Sequence, residues 1–221
     1  MLVVYDDKRW SLLREKREKA INVMRKLAHF APVVHGSVAR GDVREDSDVD
    51  VAILTPVPPY AVELAVGTFS HGYIIQATPS STPKMYLCLD PKEEIVVSFP
   101  LAKLSPREAE FYAFGGQLDL KGLEEGIRVP GVNKELKLIL PREEGHWEES
   151  VIGKEGEVTK ILGVSPETVE ERVRVLTKRR EKGRTGVFFK MKFYGSAHEA
   201  LYSAVRSSKA LRASLRERGV L

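Results

Sequence analysis

The order of apolar and polar positions divides the chain into short, clearly punctuated elements. From about Asp7 to His29, apolar residues recur at Trp10, Leu12, Leu13, Ala20, Ile21, Met24, Leu27 and Ala28, with Lys, Arg and Glu between them. That spacing predicts an amphipathic helix, stopped by Pro32. Ala31 to His35 and Val49 to Leu54 read as β-rich runs on either side of a polar, turn-like stretch, Val38 to Ser47. The prolines between Thr55 and Pro59 mark a connection, after which Tyr60 to Phe69 predicts a short helix and Tyr73 to Ala77 a strand. Lys84 to Leu89 and Glu94 to Phe99, joined by Asp90-Pro91-Lys92-Glu93, predict a β-hairpin. Ser105-Pro106-Arg107-Glu108 is a capping box with proline at the first helical position, and its helix runs out at Gly115-Gly116. Leu136 to Leu140 reads as another strand.

The last third changes character. Glu157 to Leu162 predicts a short helix, Gly163-Val164 a turn, and Ser165-Pro166 the start of a second helix reaching about Arg180. A loop at Gly183 to Gly186, a strand from Val187 to Tyr194 and a capping box at Ser196-Ala197-His198-Glu199 follow. The helix opened by that box is expected to reach the C-terminus, with Leu201, Val205 and Leu215 facing inward. Pattern and charge both change between about Leu140 and Glu155, so two domains are expected, residues 1–145 and 146–221. The segment around His146 and Trp147 reads as a connector that packs one ring.

Charge sharpens this division. The net +4 of the chain conceals fourteen Lys and Arg against three Asp and Glu between Arg172 and Arg218, leaving the remainder acidic. Such asymmetry points to a polyanion for the C-terminal part and to cations for the rest. No run of about eighteen apolar residues suits a membrane span, and the first ten residues do not read as a secretory signal. Cys88 is the single cysteine, so no intramolecular disulfide is possible; a reducing cytoplasm is the expected setting, with Cys88 as core filler. Two Asn and two Gln amid abundant Lys, Arg and Glu are the bias of a thermophile.

The candidate chemistry lies between the first two strands. Asp48 and Asp50 stand two positions apart where an apolar strand begins, so the two-residue period puts both carboxylates on one face. Paired like charges cost energy unless a cation neutralises them. Oxygen donors without neighbouring His or Cys favour Mg²⁺ or Mn²⁺. Eleven positions before Asp48, Gly36-Ser37 offers close backbone approach, free N–H groups and a hydroxyl for phosphate oxygens. Arg40 offers a guanidinium fork to a triphosphate, and Gly41 lets the chain turn back.

Gly36-Ser37, Arg40-Gly41 and Ser47-Asp48-Val49-Asp50 together resemble the signature of the polymerase β-like nucleotidyltransferase superfamily, in particular an archaeal nucleotidyltransferase family. The resemblance covers about residues 30 to 100. It implies an α+β domain with a mixed sheet flanked by helices, Mg²⁺ or Mn²⁺ on Asp48 and Asp50, and an NTP substrate gripped by Gly36, Ser37 and Arg40. It also implies a third carboxylate on a later strand. Ile95 to Phe99 contains no acid, so Glu94 at its start is the candidate for that ligand and Asp90 the second choice.

Residues Glu157 to Leu176 resemble a helix-turn-helix, and the following basic loop and strand suggest a small winged-helix-like domain. Arg172, Arg174, Lys178, Arg179, Arg180, Lys182 and Arg184 would then contact nucleic acid phosphates. Three readings remain open: transfer of a nucleoside monophosphate to a hydroxyl on RNA or DNA, a nucleic-acid-binding regulator with a catalytically weak domain, or adenylylation of a protein or small molecule.

Overall fold

The computed structural model describes residues 1–183 and 186–221. In chain order its first half contains β1 (Leu2–Val4), α1 (Asp7–Lys26), β2 (Val33–His35), α2 (Ser37–Arg40), β3 (Val49–Ala52) and α3 (Pro59–Val66). Then come β4 (His71–Gln76), β5 (Lys84–Cys88), β6 (Ile95–Pro100), α4 (Pro106–Gly115), β7 (Gln117–Asp119) and α5 (Leu120–Glu124). The remainder comprises β8 (Gly131–Val132), β9 (Lys137–Arg142), β10 (Gly145–Ser150), α6 (Glu155–Leu162) and α7 (Pro166–Lys182). β11 (Phe189–Phe193), α8 (Ala197–Ser207) and α9 (Lys209–Glu217) close the chain.

Among the described residues the strands form two sheets. The larger runs β11-β4-β5-β6-β3-β2-β7, and β3 with β6 is its parallel pair. Strand alternation gives this sheet two different faces. Val51, Val97, Phe99, Met85, Leu87 and Ile74 point to one side, where they pack in one core with Met24 and Leu27 at the end of α1, Val62 of α3, Ala204 of α8 and Leu211 and Leu215 of α9. The registers place His35, Asp50, Val96, Ser98, Tyr86 and Tyr73 on the other side. The smaller sheet runs β1-β10-β9-β8. Leu138 of β9, with Leu136 beside it, shares a second core with Phe114 of α4 and with Val158, Val169 and Leu176 of α6 and α7.

The expected capping box is present: Ser105 accepts from the Glu108 N–H while the Glu108 carboxylate accepts from the Ser105 N–H. Several short elements were not legible locally. β1 and β10 exist because Leu2 pairs with Trp147 across the whole domain, which also turns the expected connector into a strand and leaves Trp147 exposed. The helix expected to reach the C-terminus breaks at Ser208, whose hydroxyl caps the Leu211 N–H and starts α9.

The residues expected to form a winged-helix-like domain divide between the two cores. α6 and α7 do pack as a helix pair, but against α4 and the smaller sheet. β11 is the edge strand of the larger sheet, paired along β4 from Phe189–Gln76 to Phe193–Gly72, and α8 and α9 cover that sheet's apolar face. Buried Gln76 donates to Ser214 of α9 at 3.1 Å, tying the C-terminal helix to β4. The strand therefore extends the first sheet, and the change of composition near residue 145 does not mark a change of core. Leu211→Ala, at a fully buried position, should cost about 2–5 kcal/mol. It should lower the denaturant midpoint of the sheet and of α9 together; an α9 that melts alone would contradict the shared core.

Candidate nucleotidyltransferase site

A cleft of about 1890 Å³ opens between the uncovered face of the larger sheet and the wall formed by α4, α7 and the β8–β9 turn. This is larger than the roughly 300–1,000 Å³ of a small-molecule pocket, so it has room for more than one small ligand. Gly36, Ser37, Arg40, Asp48 and Asp50 all line it.

Gly36 ends β2 at φ +81°, ψ −140°, a conformation closed to residues with a Cβ, and the place where its side chain would lie is open cleft. Its bare backbone leads into α2, whose first-turn N–H groups have no partners within the helix. α1 fixes this loop from behind. Arg17, buried on α1, donates to the carbonyls of Val38 and Ala39, both at 3.1 Å, acceptors that so short a helix leaves without intrahelical donors. Lys16, also on α1, donates to the Ser47 carbonyl just before Asp48. Both ends of the candidate loop are thus held by adjacent residues of one helix.

On β3, Asp50 stands opposite His35 of β2 and Val96 of β6. Its side chain reaches solvent at the cleft floor while protein surrounds it on most sides. That desolvation, reinforced by Asp48 and partly offset by Lys134, pushes the Asp50 carboxyl up from 3.8 to about 6. Two neighbouring oxygen-donor side chains fit a divalent cation, which would relieve the penalty on Asp50. His35 lies under Gly115 and beside the rings of Phe111 and Tyr112. Burial, then the nearby cations Arg40 and Lys84, hold it down to about 3, so it is neutral and structural.

Other residues take different positions from those expected. Arg40 lies buried: its Nε and Nη2 donate to Asp42 at 2.9 and 3.0 Å, and Nη1 donates to the Gly115 carbonyl. Its fork is occupied within the protein, so it braces α2 against α4. Glu94 does not line the cleft; its carboxylate lies 3.8 Å from Lys19 on α1. Asp90 accepts the N–H groups of Lys92, Glu94 and Ile95 and shapes the β5–β6 turn. Beside Asp50 on β6 stand Val96 and Ser98.

The wall carries three of the cations expected to meet phosphates. Arg172, Arg179 and Arg180 line the cleft, whereas Arg174, Lys178 and Lys182 are exposed without lining it. Arg184 lies outside the described residues. Arg172 sits over the Phe111 ring at 4.9 Å with its Nε buried and without a partner. Glu110 on α4 anchors this wall by accepting from the N–H and hydroxyl of Ser165 and the hydroxyl of Thr168 at the start of α7. Lys134 and Lys84 reach the cleft from the β8–β9 turn and from β5; their local sequence gives no sign of what they face.

The sequence model of the nucleotidyltransferase domain family matches residues 17–175. The chain belongs to this family. No curated protein and no solved structure matches it significantly. The nucleotidyltransferase match begins within α1 and ends within α7, so it spans the loop, the carboxylate pair and most of the opposite wall. Among the described residues, no helix is long and apolar enough to cross a membrane.

Two expectations test the electrostatics. With its carboxyl raised, folded Asp50 holds its proton to higher pH than the unfolded chain, so its contribution to stability is present below pH 3.8 and lost as pH rises through about 6. Asp50→Asn should therefore melt above the wild type at pH 7 without divalent cations, and the gap should close below pH 4; a pH-independent gap would refute the assignment. Arg40→Ala should cost about 3–5 kcal/mol in denaturant unfolding, because it strands Asp42 in a buried place. An unchanged stability with weakened NTP binding would restore Arg40 to the triphosphate.

Proposed function

We propose that this protein is a metal-dependent nucleotidyltransferase that moves a nucleoside monophosphate from an NTP to a hydroxyl on a polyanionic acceptor, RNA or DNA. The observation that carries the reading is the joint placement of Asp48, Asp50 and the Gly36-Ser37 loop in one cleft with Lys134 and with Arg172, Arg179 and Arg180 of α7.

Asp48 and Asp50 would hold Mg²⁺ or Mn²⁺, which supplies charge neutralisation at the α-phosphate and at the departing pyrophosphate. The loop's first-turn N–H groups and the Ser37 hydroxyl bind phosphate oxygens of the NTP. Lys134, close enough to Asp50 to lower its pKa, offers a mobile positive charge that Arg40 cannot. Arg172, Arg179 and Arg180 line the same cleft as the carboxylates and suit the phosphates of an acceptor strand. Phe111, held between His35 and Arg172, fixes the Arg172 guanidinium at the cleft wall.

One observation favours a second reading. The β6 positions beside Asp50 are Val96 and Ser98, where a third carboxylate would assist removal of the acceptor proton. A site with two acids binds nucleotide and turns over slowly, which suits a nucleic-acid-binding regulator with a weak catalytic domain.

The decisive experiment incubates the protein with each labelled NTP, Mg²⁺ or Mn²⁺, and total RNA or DNA. Label transfer to nucleic acid, reduced at least about 10³-fold by Asp48→Ala/Asp50→Ala and weakened by Arg172→Ala/Arg179→Ala, supports the enzyme. Nucleic-acid binding that survives the double aspartate change, with no transfer under any condition, supports the regulator. Label on protein or on a small soluble product would replace the polyanionic acceptor with one of those.

A further inference from the structure

The uncovered face of the larger sheet carries a second cluster of chemically capable residues, three strands away from the carboxylate pair. His71 on β4 stands opposite Cys88 on β5, Cys88 opposite Val96 on β6, and Val96 opposite Asp50 on β3. At about 4.8 Å per strand this row spans roughly 14 Å. The cluster is completed by Glu93 from the β5–β6 turn. His71 and Cys88 are buried, at 4% and 1% exposure, while Glu93 closes over them from the solvent side.

A ring nitrogen of His71, the sulfur of Cys88 and a carboxylate oxygen of Glu93 all lie within 4.8 Å of one another. Around a tetrahedral Zn²⁺, with bonds of about 2.0–2.3 Å, donor atoms stand roughly 3.3–3.7 Å apart. Small rotations of three side chains reach that arrangement. The donors come from two strands and a turn, so the folded sheet assembles them; nothing in their spacing along the chain would.

The surroundings are those of a ligand set. His71 Nε2 lies 2.8 Å from Glu93 Oε1, and His71 Nδ1 lies 3.2 Å from Ser70 Oγ, which can orient the ring once Nε2 is engaged. Tyr73 donates to Glu93 Oε1 at 2.7 Å, fixing the carboxylate. Glu93 adopts φ +62°, a left-handed conformation that costs a residue with a side chain about 1–2 kcal/mol, and this conformation brings its carboxylate back over the sheet. A hydrogen-bonded His–Glu pair alone would not require a buried thiol as its third neighbour.

We infer that His71, Cys88 and Glu93 form a site for a borderline-soft transition-metal ion such as Zn²⁺, with a water in the fourth position. The mixed N, S and O donors select against Mg²⁺, so this site and the Asp48–Asp50 pair take different ions on the same face of one sheet. On binding, Cys88 releases its thiol proton to solvent. His71 carries its remaining proton on Nδ1, where Ser70 Oγ accepts it, and Nε2 gives its lone pair to the ion. The ion would pin β4, β5 and the β5–β6 turn together, and the inference does not depend on the transfer reaction.

Metal-stripped protein should be titrated with Co²⁺ and with Zn²⁺ in excess Mg²⁺. One Co²⁺ per chain with a thiolate-to-cobalt charge-transfer band is the expected result. Cys88→Ser should abolish that band and weaken Zn²⁺ binding at least about 100-fold, while Glu93→Gln, a change at a half-buried position that preserves shape, should weaken it at least about 10-fold. Asp48→Asn/Asp50→Asn should leave both readouts intact. Absence of a thiolate band in the wild type, Zn²⁺ affinity unchanged in Glu93→Gln, or loss of the band in the aspartate variant would each overturn the site.

Discussion

The candidate site rests on two negative charges that the fold forces together. Asp48 and Asp50 project from the start of one strand into a cleft that partly strips Asp50 of water, and no side chain of the protein pairs with either as a salt bridge among the described residues. Lys134 offsets only part of the repulsion. A globular protein gains nothing in stability from that arrangement. It is retained at a cost, and a divalent cation with a phosphate-bearing ligand is the chemistry that would remove the cost.

Much of the surrounding structure serves to hold that unfavourable arrangement in place. α1 contributes Lys16 and Arg17 to the backbone at both ends of the loop, so the strand start and the glycine turn cannot drift apart. Arg40 with Asp42 fastens α2 to the end of α4, and α4 in turn carries Phe111 at the cleft wall and Glu110 at the foot of α7. The basic residues of α7 are therefore positioned relative to the carboxylates by way of polar contacts through α2 and α4. Charged side chains here do more structural work than the apolar pattern alone conveyed.

The C-terminal third shows how local resemblance and tertiary assembly diverge. α6 and α7 have the sequence of a helix pair and form one. The strand and helices after them do not stay with that pair. β11 alternates Phe189, Met191 and Phe193 toward the apolar core with Lys190 and Lys192 on the opposite face, and the free edge of β4 takes it up. A wing and an added edge strand look alike in one dimension, because both are short, alternating and preceded by a loop.

Local signals by themselves determined the carboxylate pair, the glycine turn, the long first helix, the central hairpin and the capped starts of α4, α7 and α8, since each depends on neighbours within a few residues. Only the tertiary structure decided what those parts face. Arg40 became an internal brace because Asp42 and Gly115 reach it; Glu94 went to Lys19 because α1 passes there; β1 and β10 formed because distant strands met. Lys134, Lys84 and the basic side of α7 joined the cleft through a sheet register and a helix packing that span most of the chain. Side-chain direction along one strand follows from its two-residue period, but the partner across a cleft is set by contacts between residues far apart in sequence, and these leave no periodic trace.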